Sequence, residues 1–72
     1  PPLRIQTRPD VLDEQRLGRL KALLSEFPGE SRVFVHLGDD QIVRLPIRYC
    51  VELGAPLVSE VRVLLGSESV LS

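Results

Sequence analysis

His36 and Cys50 are the side chains of this chain best suited to nucleophilic or metal chemistry, and each is the only one of its type. A Cys–His nucleophilic pair needs the two side by side with a third group to orient the base. One Cys and one His also fall short of a closed zinc shell. The acidic residues offer no better constellation. Asp13-Glu14 suits a helix start and Asp39-Asp40 suits a turn. The glycines at 18, 29, 38, 54 and 66 are dispersed, so no phosphate-cradling loop is present. Neither catalysis, a metal nor a cofactor is expected. The sharper feature is a set of arginines. Arg4, Arg32, Arg44 and Arg48 alternate with apolar residues, and Phe34 and His36 fall in the same phase. Guanidinium groups bind phosphates or carboxylates through paired donors. An aromatic among them is how several modules hold single-stranded nucleic acid. The plainer reading is that exposed strand positions favour long polar side chains.

Those residues need strands to position them. Every odd position from Val43 to Leu53 is apolar or aromatic, while Arg44, Pro46, Arg48, Cys50 and Glu52 lie between. A period of two places successive side chains on opposite faces of a strand. Leu3 and Ile5 alternate with Arg4 and Gln6, and Val33, Val35 and Leu37 alternate with Arg32, Phe34 and His36. If the apolar sides share a core, the opposite side gathers Arg4, Arg32, Phe34, His36, Arg44 and Arg48 on one exposed sheet face.

The remaining elements follow from local signals. Leu3–Thr7 reads as a strand closed by Arg8-Pro9-Asp10. Asp13 is placed to cap a helix whose stripe is Leu17, Leu20, Leu23, Leu24 and Phe27. Pro28-Gly29 should end it. Gly18 weakens that helix and suggests a close approach to the sheet. Arg32–Leu37 and a strand beginning at Gln41 form an antiparallel hairpin around Gly38-Asp39-Asp40. Pro46 should break the next run and leave a short strand near Tyr49–Val51. A second helix opens near Pro56, buries Leu57, Val58, Val61, Leu64 and Leu65, and stops at Gly66. The expected fold is α/β: a small two-layer α/β sandwich in β-α-β-β-(β)-α order, with two helices on one face of a mixed sheet. Residues 1–66 form the single domain, and 67–72 are expected as a flexible tail in which Val70 and Leu71 can dock.

The totals limit the function. A chain of 72 residues is one domain with a thin core and no room for a deep substrate cavity. Its net charge of -1 supplies no bulk attraction to nucleic acid or membrane. No apolar run approaches the ~20 residues of a membrane span, and no signal peptide is visible. A lone cysteine excludes an internal disulfide, so a reducing, cytoplasmic compartment is expected. The Pro1-Pro2 start and the lack of Met suggest a piece of a longer chain.

Three segments carry a family resemblance. They are Leu17-Gly18-Arg19-Leu20-Lys21-Ala22-Leu23-Leu24 with Phe27-Pro28-Gly29, then Arg44-Leu45-Pro46-Ile47-Arg48-Tyr49-Cys50-Val51, then Leu57-Val58-Ser59-Glu60-Val61-Arg62-Val63-Leu64-Leu65-Gly66. In order and spacing this resembles the extreme C-terminal domain of the bacterial DNA polymerase III α subunit, with its leucine-rich helix, Arg-Leu-Pro-x-x-Tyr-x-Val strand and closing helix. Phe27 stands where that family often has His, and Gly54-Ala55 where a polar cap is usual. The resemblance implies a non-catalytic module that tethers a DNA-directed DNA polymerase to the τ subunit of the clamp loader and touches neighbouring domains of the parent. The magnesium-binding aspartates of the polymerase palm have no counterpart here, so polymerase activity is not expected of this chain. The arginine face by itself supports an alternative, a single-stranded nucleic-acid binder. A third reading is a packing domain without a partner of its own.

Overall fold

The computed structural model describes residues 1 to 71. In chain order it has β1 (Leu3–Thr7), α1 (Glu14–Ser25), β2 (Pro28–Ser31), β3 (Val33–Leu37), β4 (Gln41–Arg44), α2 (Ala55–Leu65) and β5 (Val70–Leu71). A single 3-10 turn at Ile47–Tyr49 joins β4 to α2. Four strands make one sheet in the order β4-β3-β1-β5. β1 and β3 are parallel and central, and the antiparallel strands β4 and β5 flank them. The mixed sheet and its two helices form the expected two-layer sandwich.

The period-two pattern decides which side of the sheet is covered. Leu3, Ile5, Val33 and Val35 point inward, where they meet Leu20 and Leu24 of α1 and Leu57 and Val61 of α2. Leu45 and Val51, from the segments around the 3-10 turn, complete this core. Burying one such aliphatic side chain contributes about 1.5–3 kcal/mol, so a few positions carry much of the stability of a chain this short.

α1 begins where its cap residue dictates. The Asp13 carboxylate accepts from the Arg16 amide at 2.8 Å, and Glu14 occupies the first turn. Gly18, expected to permit close approach, does not. A Cβ added there meets nothing within 4 Å. Gly18→Ala should therefore stabilise the protein by about 0.5–1 kcal/mol through helix propensity alone. Urea unfolding followed by circular dichroism reads this as a raised midpoint, and an unchanged or lowered midpoint rejects it.

Three elements differ from expectation. The run from Val43 to Leu53 is not continuous strand. Pro46, at φ -57 and ψ 158, turns the chain into the 3-10 turn, so no strand forms near Tyr49 and Ile47 becomes 73% exposed. Val51 alone keeps strand character, bridging Pro28 and Ser31. Those bridges account for β2, which follows the helix exit that Pro28-Gly29 signalled. Val70–Leu71, expected within a flexible tail, pairs with β1 as β5 through Arg4↔Leu71 and Ile5↔Val70. The domain thus runs to Leu71, and Ser72 lies outside the described residues.

Candidate interaction surface on the open sheet face

Because both helices cover one side of the sheet, the other side is open. The strand register arranges it in two rows. Arg44, Phe34, Arg4 and Leu71 form the first, running from β4 through β3 and β1 to β5. Ile42, His36 and Gln6 form the second. Arg44 and Gln6 are exposed, Ile42 is 59% exposed, and Arg4, Phe34, His36 and Leu71 are half-buried.

Arg4 organises the middle. Its guanidinium carbon lies 4.7 Å from the Phe34 ring centroid, within cation–π range. Its Nη1 lies 3.3 Å from His36 Nε2. A guanidinium can only donate, so Nε2 is the acceptor in this contact. Arg4 is thereby held over the ring. Any aromatic group seeking Phe34 meets the guanidinium first.

The charge pattern on this side is one-sided. The chain has ten carboxylate side chains, yet none lies on β1, β3, β4 or β5. Among the described residues, the ion pairs are Arg8–Asp10 at 3.3 Å and Arg16–Asp13 at 3.4 Å, both outside the sheet. Among the described residues, Arg4 and Arg44 therefore present cationic groups with no carboxylate side chain paired to them.

Of the six residues that the sequence assigns to this face, the structure brings four together: Arg4, Phe34, His36 and Arg44. Arg32 has the right phase but a different task. Its Nη2 donates to the Leu45 carbonyl at 2.9 Å, and its Nε is buried with no hydrogen-bond partner among the described residues. It ties the start of β3 to the corner after β4. Arg48 leaves the face because Pro46 ends the alternation. Its guanidinium sits 5.1 Å from the Tyr49 centroid, with the Lys21 ammonium of α1 5.9 Å from the same ring. Ile42, Gln6 and Leu71 belong to the face but were not among the six. Ile42 shares its phase with Arg44 in Gln41-Ile42-Val43-Arg44, a signal available in the sequence. Leu71 carries no such signal, since two residues define no period.

His36 and Cys50 are not brought together as a reactive pair. His36 lies on the open face, whereas Cys50 closes the 3-10 turn, with its amide donating to the Ile47 carbonyl at 2.9 Å. Among the described residues no group of three or more His, Cys, Asp or Glu is placed to hold a metal ion. No helix among them is long and apolar enough to cross a membrane.

Fold and face together define a small α/β domain with an open, arginine-bearing sheet surface. No family model matches the chain, no curated protein matches it, and no solved structure matches it.

Proposed function

We propose that the chain is a non-catalytic interaction module of the kind found at the C-terminus of a replicative DNA polymerase α subunit, tethering that enzyme to the clamp-loader τ subunit in the cytoplasm. The observation that carries a protein-binding role is the uncovered face, where Arg4 and Arg44 flank Phe34, Leu71 lies beyond Arg4, Ile42 stands in the next row, and no strand of the sheet carries a carboxylate side chain. Such a mixture of arginine and exposed apolar surface suits a protein contact, in which Arg and aromatic residues are enriched. The three resembling segments supply the choice of partner.

Calorimetric titration of the chain with purified τ subunit at physiological salt tests this reading. Saturable one-to-one binding is expected. An Arg4→Glu/Arg44→Glu double variant should weaken it by about tenfold or more, because a partner surface that complements these two arginines would then face like charges. Absence of binding by the unaltered chain rejects the tether.

Phe34 among cations on an open sheet favours a second reading, single-stranded nucleic-acid binding. Against it stands the Arg4 guanidinium lying over the ring, together with the lack of a second Phe, Tyr or Trp in either row. Titration with oligodeoxythymidine across salt concentrations separates the two. Nucleic-acid binding should show a log–log slope of ~0.7 per phosphate neutralised, lost on replacing Arg4 and Arg44 with Ala.

A further inference from the structure

The open face stops at β4, the last strand of the sheet on that side. β3 and β4 pair Phe34 with Arg44, Val35 with Val43, His36 with Ile42 and Leu37 with Gln41. One step further, the Leu45 amide donates to the Val33 carbonyl at 3.0 Å. Antiparallel partners alternate between pairs that exchange both backbone bonds and pairs that exchange none. Leu45, Val43 and Gln41 therefore bond toward β3, while the N–H and C=O groups of Ile42 and Arg44 point away from it, off the edge. No side-chain hydrogen bond among the described residues reaches them. Edge strands are usually protected by short length, charged side chains, Pro, a bulge or a covering element. β4 contains no Pro, its one charge is Arg44, which an acidic partner strand would neutralise, and among the described residues β3 is its only substantial neighbour.

The two residues with outward-pointing backbone groups are also the two whose side chains lie on the open face. We infer that the free edge of β4 is a strand-addition site for an extended polypeptide segment with an acidic and an aliphatic side chain two residues apart. This rests on reading the open face as a protein contact, whichever protein supplies the segment. Directly opposed residues of neighbouring strands share a face, with Cβ atoms about 4.5–5.5 Å apart. The added strand places its acid opposite Arg44 and its aliphatic residue opposite Ile42, which is otherwise 59% exposed. Charge complementarity selects the acid, because among the described residues neither Arg44 nor Arg4 beyond Phe34 has a carboxylate partner. Backbone bonds give such additions their affinity and the alternating side chains give specificity. A nucleic-acid strand could meet the arginines but would leave the edge amides without a peptide ladder.

The test is an amide NMR titration with an end-blocked peptide of about eight residues repeating Glu-Thr-Leu-Thr, an alternation that suits strand addition. The Ile42 and Arg44 amides should shift and exchange more slowly, while the Val43 amide, already bonded to β3, keeps its exchange rate. A Lys-for-Glu analogue should bind about tenfold more weakly or worse. Ile42→Pro removes an N–H that faces solvent, the setting in which an edge strand tolerates proline. It should abolish binding while Ile42→Ala retains it. A peptide N-methylated at the residue opposite Ile42 should show the same loss with the protein untouched. Shifts confined to Arg4, Phe34 and His36 overturn the inference, as does no shift at all. The same shifts with oligodeoxythymidine and none with peptide also overturn it. If τ binds the unaltered chain and Ile42→Pro equally well, the tether stands and the edge site falls. If τ does not bind but the peptide shifts the edge amides, the edge site stands and the tether falls.

Discussion

Gly29→Ala is expected to destabilise this protein by about 3 kcal/mol or more, at the upper end of overpacking effects. At roughly 0.05–0.15 kcal/mol per residue, a chain of 72 residues has about 4–11 kcal/mol in total, so the loss is a large fraction of it. Gly29 sits in β2, against the segment that carries Val51 into the core. Its amide donates to the Cys50 carbonyl at 3.2 Å, and the Glu52 amide donates to the Phe27 carbonyl at 2.7 Å. A Cβ at position 29 would collide with the backbone of Val51 and Glu52, lying 2.5 Å from the Glu52 Cα. Backbone atoms have no alternative rotamer, so relief requires β2 to move away from Val51, which is fully buried. Gly54→Ala is the control. Its added Cβ meets only the Pro56 Cδ at 3.8 Å, and Gly54 is in extended backbone. Urea unfolding of both variants decides the matter. Equal midpoints would show that the close approach of β2 to Val51 contributes nothing.

Gly29 also shows where sequence patterns mislead. Pro28-Gly29 correctly marks the end of α1, which stops at Ser25. The same pair hides a strand, because β2 is exposed along most of its length and carries no apolar alternation. Its glycine is required by what lies across from it, and that neighbour is more than twenty residues away in the chain. Local signals served better elsewhere. Leu3–Thr7 alternates cleanly, the Asp13 cap fixes the first helix, and Gly38, at φ +68, turns β3 into β4. Four of the six face residues follow from phase alone for the same reason. Phase fails once the backbone leaves the strand, as at Pro46, and Arg48 is lost with it. It also cannot say where a long side chain goes, so Arg32 keeps its phase yet spends its guanidinium on the Leu45 carbonyl. The adjacency of β1 and β3 and the docking of β5 are long-range pairings with no local signature.

Leu57→Ala should cost about 2–5 kcal/mol, the range for emptying a buried leucine site. Leu57 is fully buried near the start of α2, one turn before the equally buried Val61, and the two seat the helix on the sheet. What α2 holds down extends beyond its own core contacts. The chain leaves it at Gly66, at φ +120, and reaches β5 within a few residues. The Gln6 amide donates to the Ser69 carbonyl at 2.6 Å, and Leu71 pairs with Arg4 at the end of the open face's first row. A loosened α2 therefore loosens β5, and Leu71 is lost from the face before the β1–β3 centre of the sheet opens. Hydrogen exchange reads this order directly. In Leu57→Ala the Gln6 amide should exchange faster relative to Ile5, whose amide the parallel ladder directs toward β3. Val63→Ala, on the same helix but 84% exposed, should change neither stability by more than about 0.5 kcal/mol nor that ratio. If Gln6 and Ile5 accelerate equally in Leu57→Ala, β5 and the central strands open as one unit, and the edge of the face is as stable as its middle.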